Sequence, residues 1–203
     1  MLETQIILAL AGFCLVSSIT PGPNNLMLLA SGARFGFART LPHLCGVAGG
    51  FTLMVLLVGA GIAGLFKAVP ALHQALRVIS VVYVLYLAWK IATGPTRFDS
   101  APSGSDTPMN FTQAALFQWV NPKAWSMAVT AVTAYAPSSN PVIALFATAV
   151  IFGVVNVPCI GLWAVLGTRL RLVLSNPLRF RAFNLTAAVL LAATIFPLLV
   201  DAG

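Results

Sequence analysis

Four long stretches of this chain carry no charged side chain: residues 4–33, 40–66, 124–168 and 182–200. A membrane-spanning helix needs about 20 mostly apolar residues, rising about 1.5 Å each across roughly 30 Å of hydrocarbon. The first two runs exceed that length, the last matches it, and residues 124–168 are long enough for more than one crossing. A water-soluble alternative fails on charge. Eleven basic and four acidic side chains make up 7% of the 203 residues, against roughly a quarter in a soluble domain. So few charges cannot cover a globule of this size, and the surface must face lipid, which accepts apolar groups and penalises charge.

The runs and their flanks predict an all-α polytopic membrane protein of six transmembrane helices, over residues 4–32, 40–66, 71–93, 110–135, 141–167 and 180–200. Arg77 interrupts the third, but an arginine near a helix end can extend its guanidinium to the headgroups. The first stretch reads as a span rather than a cleavable signal. Glu3 is the only charge ahead of the apolar run, and the run is too long for a signal peptide. Cys14, Cys45 and Cys159 fall inside predicted helices without CxxC or zinc-ligand spacing, so they read as small packing residues. No metal or cofactor is expected.

Basic residues sort by loop. Arg34 and Arg39 follow the first predicted helix, Lys90 and Arg97 the third, and Arg169, Arg171, Arg179 and Arg181 the fifth. The opposite side has only Lys67 and Arg77. This positive-inside bias places those three connections in the cytoplasm and both termini outside. It also accounts for the net charge of +7 as topology and headgroup affinity, with no nucleic-acid partner required. Residues 94–109, rich in Pro, Ser, Gly and Asp, read as a cytoplasmic linker. It divides one transmembrane domain into repeat one (1–93) and repeat two (110–203). Three helices per half make the second half enter from the opposite side, the arithmetic of an inverted-topology repeat.

Both halves begin with an interrupted helix. The first contains Thr20-Pro21-Gly22-Pro23-Asn24-Asn25 and the fourth Asn121-Pro122-Lys123. Proline has no N–H and clashes with the carbonyl four residues back, so Pro21, Pro23 and Pro122 release the carbonyls of Ser17, Ile19 and Gln118. Freed backbone groups in lipid cost several kcal/mol each unless satisfied. Two breaks flanked by Asn24, Asn25 and Asn121 therefore predict a polar cavity near the middle of the bundle. The half-helix after each break offers free N–H groups and a partial positive charge. A carboxylate fits such an end, and the released carbonyls fit an ammonium. Pro21, Gly22, Pro23, Asn24, Asn25, Asn121, Pro122 and Lys123 are the candidate substrate-binding residues. Asn156, beside Pro158 in the fifth predicted helix, joins them on the cavity wall ahead of Asn184.

Lys123 has no acid to pair with in the membrane, because Glu3, Asp99, Asp106 and Asp201 all lie in termini or the linker. It must snorkel, pair with carbonyls or water, or meet a substrate carboxylate. His43 and His73 read as interfacial or packing residues rather than proton carriers, and Trp89 and Trp163 as interface anchors. The Gly46/Gly50 pair forms a GxxxG that lets a second helix approach closely.

These motifs carry a resemblance. The stretch Ser18-Ile19-Thr20-Pro21-Gly22-Pro23-Asn24-Asn25 resembles the PGP signature of the LysE/RhtB family of amino-acid exporters. Tyr86-Leu87-Ala88-Trp89-Lys90, Asn121-Pro122-Lys123 and Trp163-Ala164-Val165-Leu166-Gly167 extend it over essentially the whole chain. The resemblance implies ion-gradient-driven export of amino acids or close derivatives from the bacterial cytoplasm, without ATP. The chain has no Gly-Lys-Ser/Thr phosphate loop. Many members carry an acidic residue directly after the second-helix glycines, where this chain has Phe51. That departure, together with Lys90-Ile91-Ala92-Thr93-Gly94-Pro95-Thr96, is similar to the cysteine/O-acetylserine exporter branch. It implies a small neutral substrate, with threonine or homoserine next.

Two further classes compete. Broken helices also line passive channels and ion transporters, and a non-transporting membrane scaffold would need neither break. An intramembrane enzyme would need paired acids, a zinc site or a Ser–His pair, none of which this sequence offers. Six short helices form a slender bundle that is compatible with a homodimer. The expected partners are an amino-acid substrate and membrane lipid.

Overall fold

The computed structural model describes residues 2–62, 64, 68–94, 107–135, 140–174 and 176–196. Regular structure among them is helical throughout. Helices α1 (Leu2–Ile19) and α2 (Pro23–Phe35) replace the first predicted helix. Then come α3 (Phe37–Leu57), continued by a wide turn at Val58–Ile62, and α4 (Pro70–Ala92). A short α5 (Phe111–Phe117) runs through a tight turn at Gln118–Val120 into α6 (Pro122–Tyr135). The chain closes with α7 (Pro141–Val173) and α8 (Pro177–Ala193).

Proline starts most of these helices. Pro23, Pro70, Pro141 and Pro177 stand in first turns and α6 opens on Pro122, where the missing N–H costs nothing and the fixed φ suits the helix. Asparagine precedes three of them and caps the exposed amides. Asn140 Oδ1 accepts from Ile143 N at 3.3 Å, Asn176 Oδ1 from Leu178 N at 2.8 Å, and Asn121 Oδ1 from Lys123 N at 3.2 Å. Asn110 and Gln113 form a reciprocal capping box at the start of α5. Gly36, at φ +79°, turns the chain between α2 and α3 in a conformation that side chains disfavour.

Several boundaries differ from the sequence expectation. The first predicted helix is a pair bent by 53°. The second starts at Phe37 and ends its regular course at Ile62, with Gly61 at φ +108°; its expected extension to 66 lies mostly outside the described residues. Arg77 leaves α4 uninterrupted. α7 is continuous through Pro158 and runs on to Val173, so Arg169 and Arg171 ride on its final turns rather than in a loop. Of the predicted linker, residues 95–106 lie outside the described residues, as do 197–200 of the last predicted helix.

Three helical stretches, Phe37–Ile62, Gln74–Ala92 and Pro141–Val173, are long and apolar enough to cross a membrane, and the bent pair Thr4–Ile19 with Pro23–Phe35 makes a fourth if it counts as one span. α6 has 14 residues and α8 has 17, so each reaches a full crossing only together with flanking segments. Only 22% of the Gln74–Ala92 window is buried inside the protein. Its exposed face carries Val78, Ile79, Val82, Tyr86 and Trp89, a surface suited to lipid.

Small residues set the helix contacts, as packing in lipid requires. α2 lies along α7. A Cβ at Gly32 would collide with the Ala164 carbonyl oxygen, and one at Gly167 with the Leu29 carbonyl oxygen. Thr168 Oγ1 donates to Ala164 O at 2.9 Å and reaches Gly32 O at 3.4 Å. The Gly46/Gly50 pair serves the packing role read from its spacing. Its partner is α5, whose Phe111 and Ala115 backbones leave no room for a Cβ at either glycine. Phe13, Phe51 and Phe152 stack edge-on at the centre of one apolar cluster. Leu26, Val84, Phe117 and Leu191 form a second, where α2, α4, α5 and α8 meet. Between the two clusters run the breaks.

Candidate functional site

The two helix breaks cross. Lys123, in the first turn of α6, extends over Gly22 and donates through Nζ to Thr20 O at 2.7 Å and Thr20 Oγ1 at 3.0 Å. Pro21 O lies at 3.4 Å. Of the roles open to this lysine, pairing with carbonyls is the one seen. Gly22 makes the crossing possible, because a Cβ there would sit 2.6 Å from Lys123 Cδ. Its backbone is extended (φ −170°), so the demand for glycine comes from space alone.

A second cross-link joins the same breaks. Asn24 Nδ2 donates to Gln118 Oε1 at 2.8 Å, and Gln118 Nε2 donates back to Asn24 Oδ1 at 3.2 Å. Gln118 also donates to Ala114 O at 2.9 Å and is fully buried. Reciprocal amides of this kind are rigid because each partner fills the other's donor and acceptor.

Each carbonyl that the prolines release has a partner. Ser17 O accepts from Thr20 Oγ1 at 3.1 Å, Ile19 O from Trp163 Nε1 at 3.1 Å, and Gln118 O from Asn121 N at 3.2 Å. Asn25 Nδ2 reaches back to Ser18 O at 2.8 Å and Thr20 O at 2.7 Å. Trp163 is therefore a clasp on the first break and not the interface anchor expected from its place near a helix end. Trp89 remains outward-facing, at 62% exposure.

The predicted residues largely come together. Gly22, Asn24, Asn25, Asn121, Lys123 and Asn156 line one small cavity of about 20 Å³. Pro23 and Pro122 shape the chain around it, and Pro21 adds its carbonyl oxygen to the Lys123 contacts. Asn121 and Asn156 are buried. The Asn121 side chain, however, caps α6 in the way Asn176 caps α8, so the Asn-Pro of its motif is a helix-start device and Lys123 is the distinctive member. Asn184 lies outside this cavity and lines a second one beside His43.

Three contributors were missed in the sequence. Gln118 enters from sequence only through its carbonyl, though an amide side chain three residues before Asn121 in an apolar helix is a visible signal. Thr20 supplies both of its oxygens to Lys123. Ser18 is buried and lines the cavity, and its hydroxyl has no partner among the described residues. No group of three or more His, Cys, Asp or Glu that could hold a metal occurs among the described residues.

An all-helical, apolar chain whose breaks meet in a polar seam is built like a membrane translocator. Residues 15–201 match the LysE type translocator family, and the chain belongs to it. It is 36% identical over 124 residues to the cysteine/O-acetylserine efflux proteins of Escherichia coli (strain K12) and Shigella sonnei (strain Ss046). The matched stretch covers 61% of this chain and 62% of each relative, so the chain spans less than two thirds of the relatives it matches. No solved structure matches it.

Proposed function

We propose that this chain is a secondary transporter that exports small neutral amino acids or their derivatives, cysteine and O-acetylserine first and threonine or homoserine next. Export runs from the bacterial cytoplasm across the inner membrane and is driven by an ion gradient. In this reading the helices form six spans in two inverted triplets, repeat one over 1–93 and repeat two over 110–203, with both termini periplasmic. The efflux relatives support the direction and the substrate class. The observation that carries the reading is the Lys123 clasp on the carbonyls of the other break.

That clasp is an internal mimic of a zwitterion's needs. A lysine near the bilayer centre costs roughly 2.5–3.5 kcal/mol, and the Thr20 and Pro21 oxygens offset it. An amino acid entering the seam exchanges partners with it. Its carboxylate takes Lys123 and the amides ahead of the first intrahelical bond of α2, which runs from Leu26 N to Gly22 O. Its ammonium takes the Thr20, Pro21 and Ser18 carbonyls. Asn24, Asn25 and Asn156 orient it. No acid among the candidate site residues favours a cationic side chain, which fits a neutral substrate.

Counterflow in proteoliposomes tests this. Labelled O-acetylserine, cysteine and threonine are expected to exchange in a saturable manner. Exchange of lysine or arginine alone would overturn the substrate class. Flux without counterflow would identify a pore instead.

A further inference from the structure

A larger cleft lies at the other end of α2 from the breaks. It holds about 120 Å³, against about 20 Å³ for the cavity at the breaks. His43 lies in its wall with 2% of its surface exposed, and neither ring nitrogen has a partner among the described residues. A buried imidazole left in this way costs stability, and it points to a ligand that would supply the missing bond. Arg34 and Lys90 line the same cleft from α2 and α4, with Ser31 and Asn184 beside them. Arg34 is held in place: its guanidinium lies 5.4 Å from the Phe35 ring centre, and a Cβ at Gly94 would approach it to 2.5 Å. Ser31 is fixed by Thr40, hydroxyl to hydroxyl at 3.1 Å, which ties α2 to the helix that carries His43.

The cleft is also in register with the seam. Asn24, Met27, Ser31 and Arg34 fall at helical spacing on one face of α2. Asn24 sits at the breaks, and the other three line the cleft. Ten residues of helix separate the ends of this stripe by about 15 Å.

We infer that this cleft is a second amino-acid site, in which His43, Arg34 and Lys90 receive the carboxylate of a small neutral amino acid before it reaches the seam. Met27, Leu87 and Met109 give its uncharged side chain an apolar wall. The substrate class rests on the transport reading above, whereas the carboxylate site rests on the cleft itself.

The test uses the full chain with ¹³C-labelled histidine in phosphatidylcholine nanodiscs, with His73→Gln so that His43 alone reports. Titration with O-acetylserine or acetate is expected to shift the His43 ring signal saturably, and ethanolamine, which lacks a carboxylate, to leave it unmoved. Arg34→Gln and Lys90→Gln should each weaken the response about tenfold, as loss of a charged hydrogen-bond partner does. Asp106→Asn, just ahead of the lining residue Thr107, should change it less than twofold. A response found only in Asp106→Asn would mean that the chain's own carboxylate fills the cleft, and would overturn the inference. So would a shift driven by phosphatidylglycerol that amino acids fail to displace, which would mark a lipid headgroup site, or no carboxylate response at all. Lys123→Ala separates the two readings: exchange is expected to fall in it while the His43 response persists. Wild-type exchange with a silent His43 sinks only the cleft. A responsive His43 without any exchange sinks only the transport reading.

Discussion

The two breaks use proline alike and polar groups differently. The first, at Pro21-Gly22-Pro23, turns backbone oxygens outward and leaves a surface without side chain at Gly22. The second, at Asn121-Pro122-Lys123, brings the Lys123 ammonium to those oxygens and, earlier in the chain, pairs the Gln118 amide with the Asn24 side chain. At the backbone oxygens the first break accepts and the second donates, whereas the Asn24 and Gln118 amides do both. Lys123 Nζ and Thr20 O find each other across the breaks, whereas Gln118 O accepts from Asn121 N within its own segment. Polar groups that complete each other across a helix interface hold it together, and in the proposed transport reading a zwitterion exchanges partners with them. Matched kinks that served shape alone would need no such complementarity.

Substitutions can break that relation, the most severe first. Lys123→Ala removes the donor and leaves Thr20 O with Asn25 as its remaining side-chain partner. Exchange in proteoliposomes should fall about 10- to 100-fold, the worth of one or two charged hydrogen bonds, at unchanged membrane insertion. Gly22→Ala should cost up to about tenfold, because the new Cβ pushes Lys123 off the carbonyls. The same change made in the Lys123→Ala background should cost almost nothing, since sites sharing one contact are not additive. An additive loss would separate Gly22 from Lys123.

The amide pair gives a finer comparison. A double-mutant cycle of Asn24→Leu and Gln118→Leu is expected to show about 1 kcal/mol of coupling in resistance to denaturation, within the usual range for contacting polar residues. Each single change should be worse than the double, because it strands one buried amide. The smallest effects concern the caps. Asn121→Ala and Asn176→Ala should each lower stability by about 1 kcal/mol. A far larger loss of exchange than of stability in Asn121→Ala would return Asn121 to the substrate site.

Much of this was legible before any coordinates. Uncharged length marked the membrane helices, and proline chemistry located both breaks to the residue. Hydropathy cannot show what satisfies a released carbonyl. Trp163 lies 144 positions from Ile19 and Lys123 lies 103 from Thr20, so only the fold brings them together. The same limit left His43 open. Near the start of α3 it reads as an interfacial or packing residue, and the fold buries it in the wall of a cleft lined by α2, α4 and the residues before α5. The close approach of α2 and α7 rests on Gly32 and Gly167, which share no local motif that spacing could reveal. Asn121 carries a second role that its motif does not show by itself: it caps α6, as Asn140 and Asn176 cap the helices that open on Pro141 and Pro177.

Holding the breaks together tests most directly whether they must part for transport. Asn24→Cys and Gln118→Cys can be introduced after Cys14, Cys45 and Cys159 are replaced, then bridged by a short bis-methanethiosulfonate reagent. Bridged protein should lose counterflow and regain it when dithiothreitol releases the bridge. Full counterflow with the bridge intact would contradict the claim, and would reduce the seam to a structural weld.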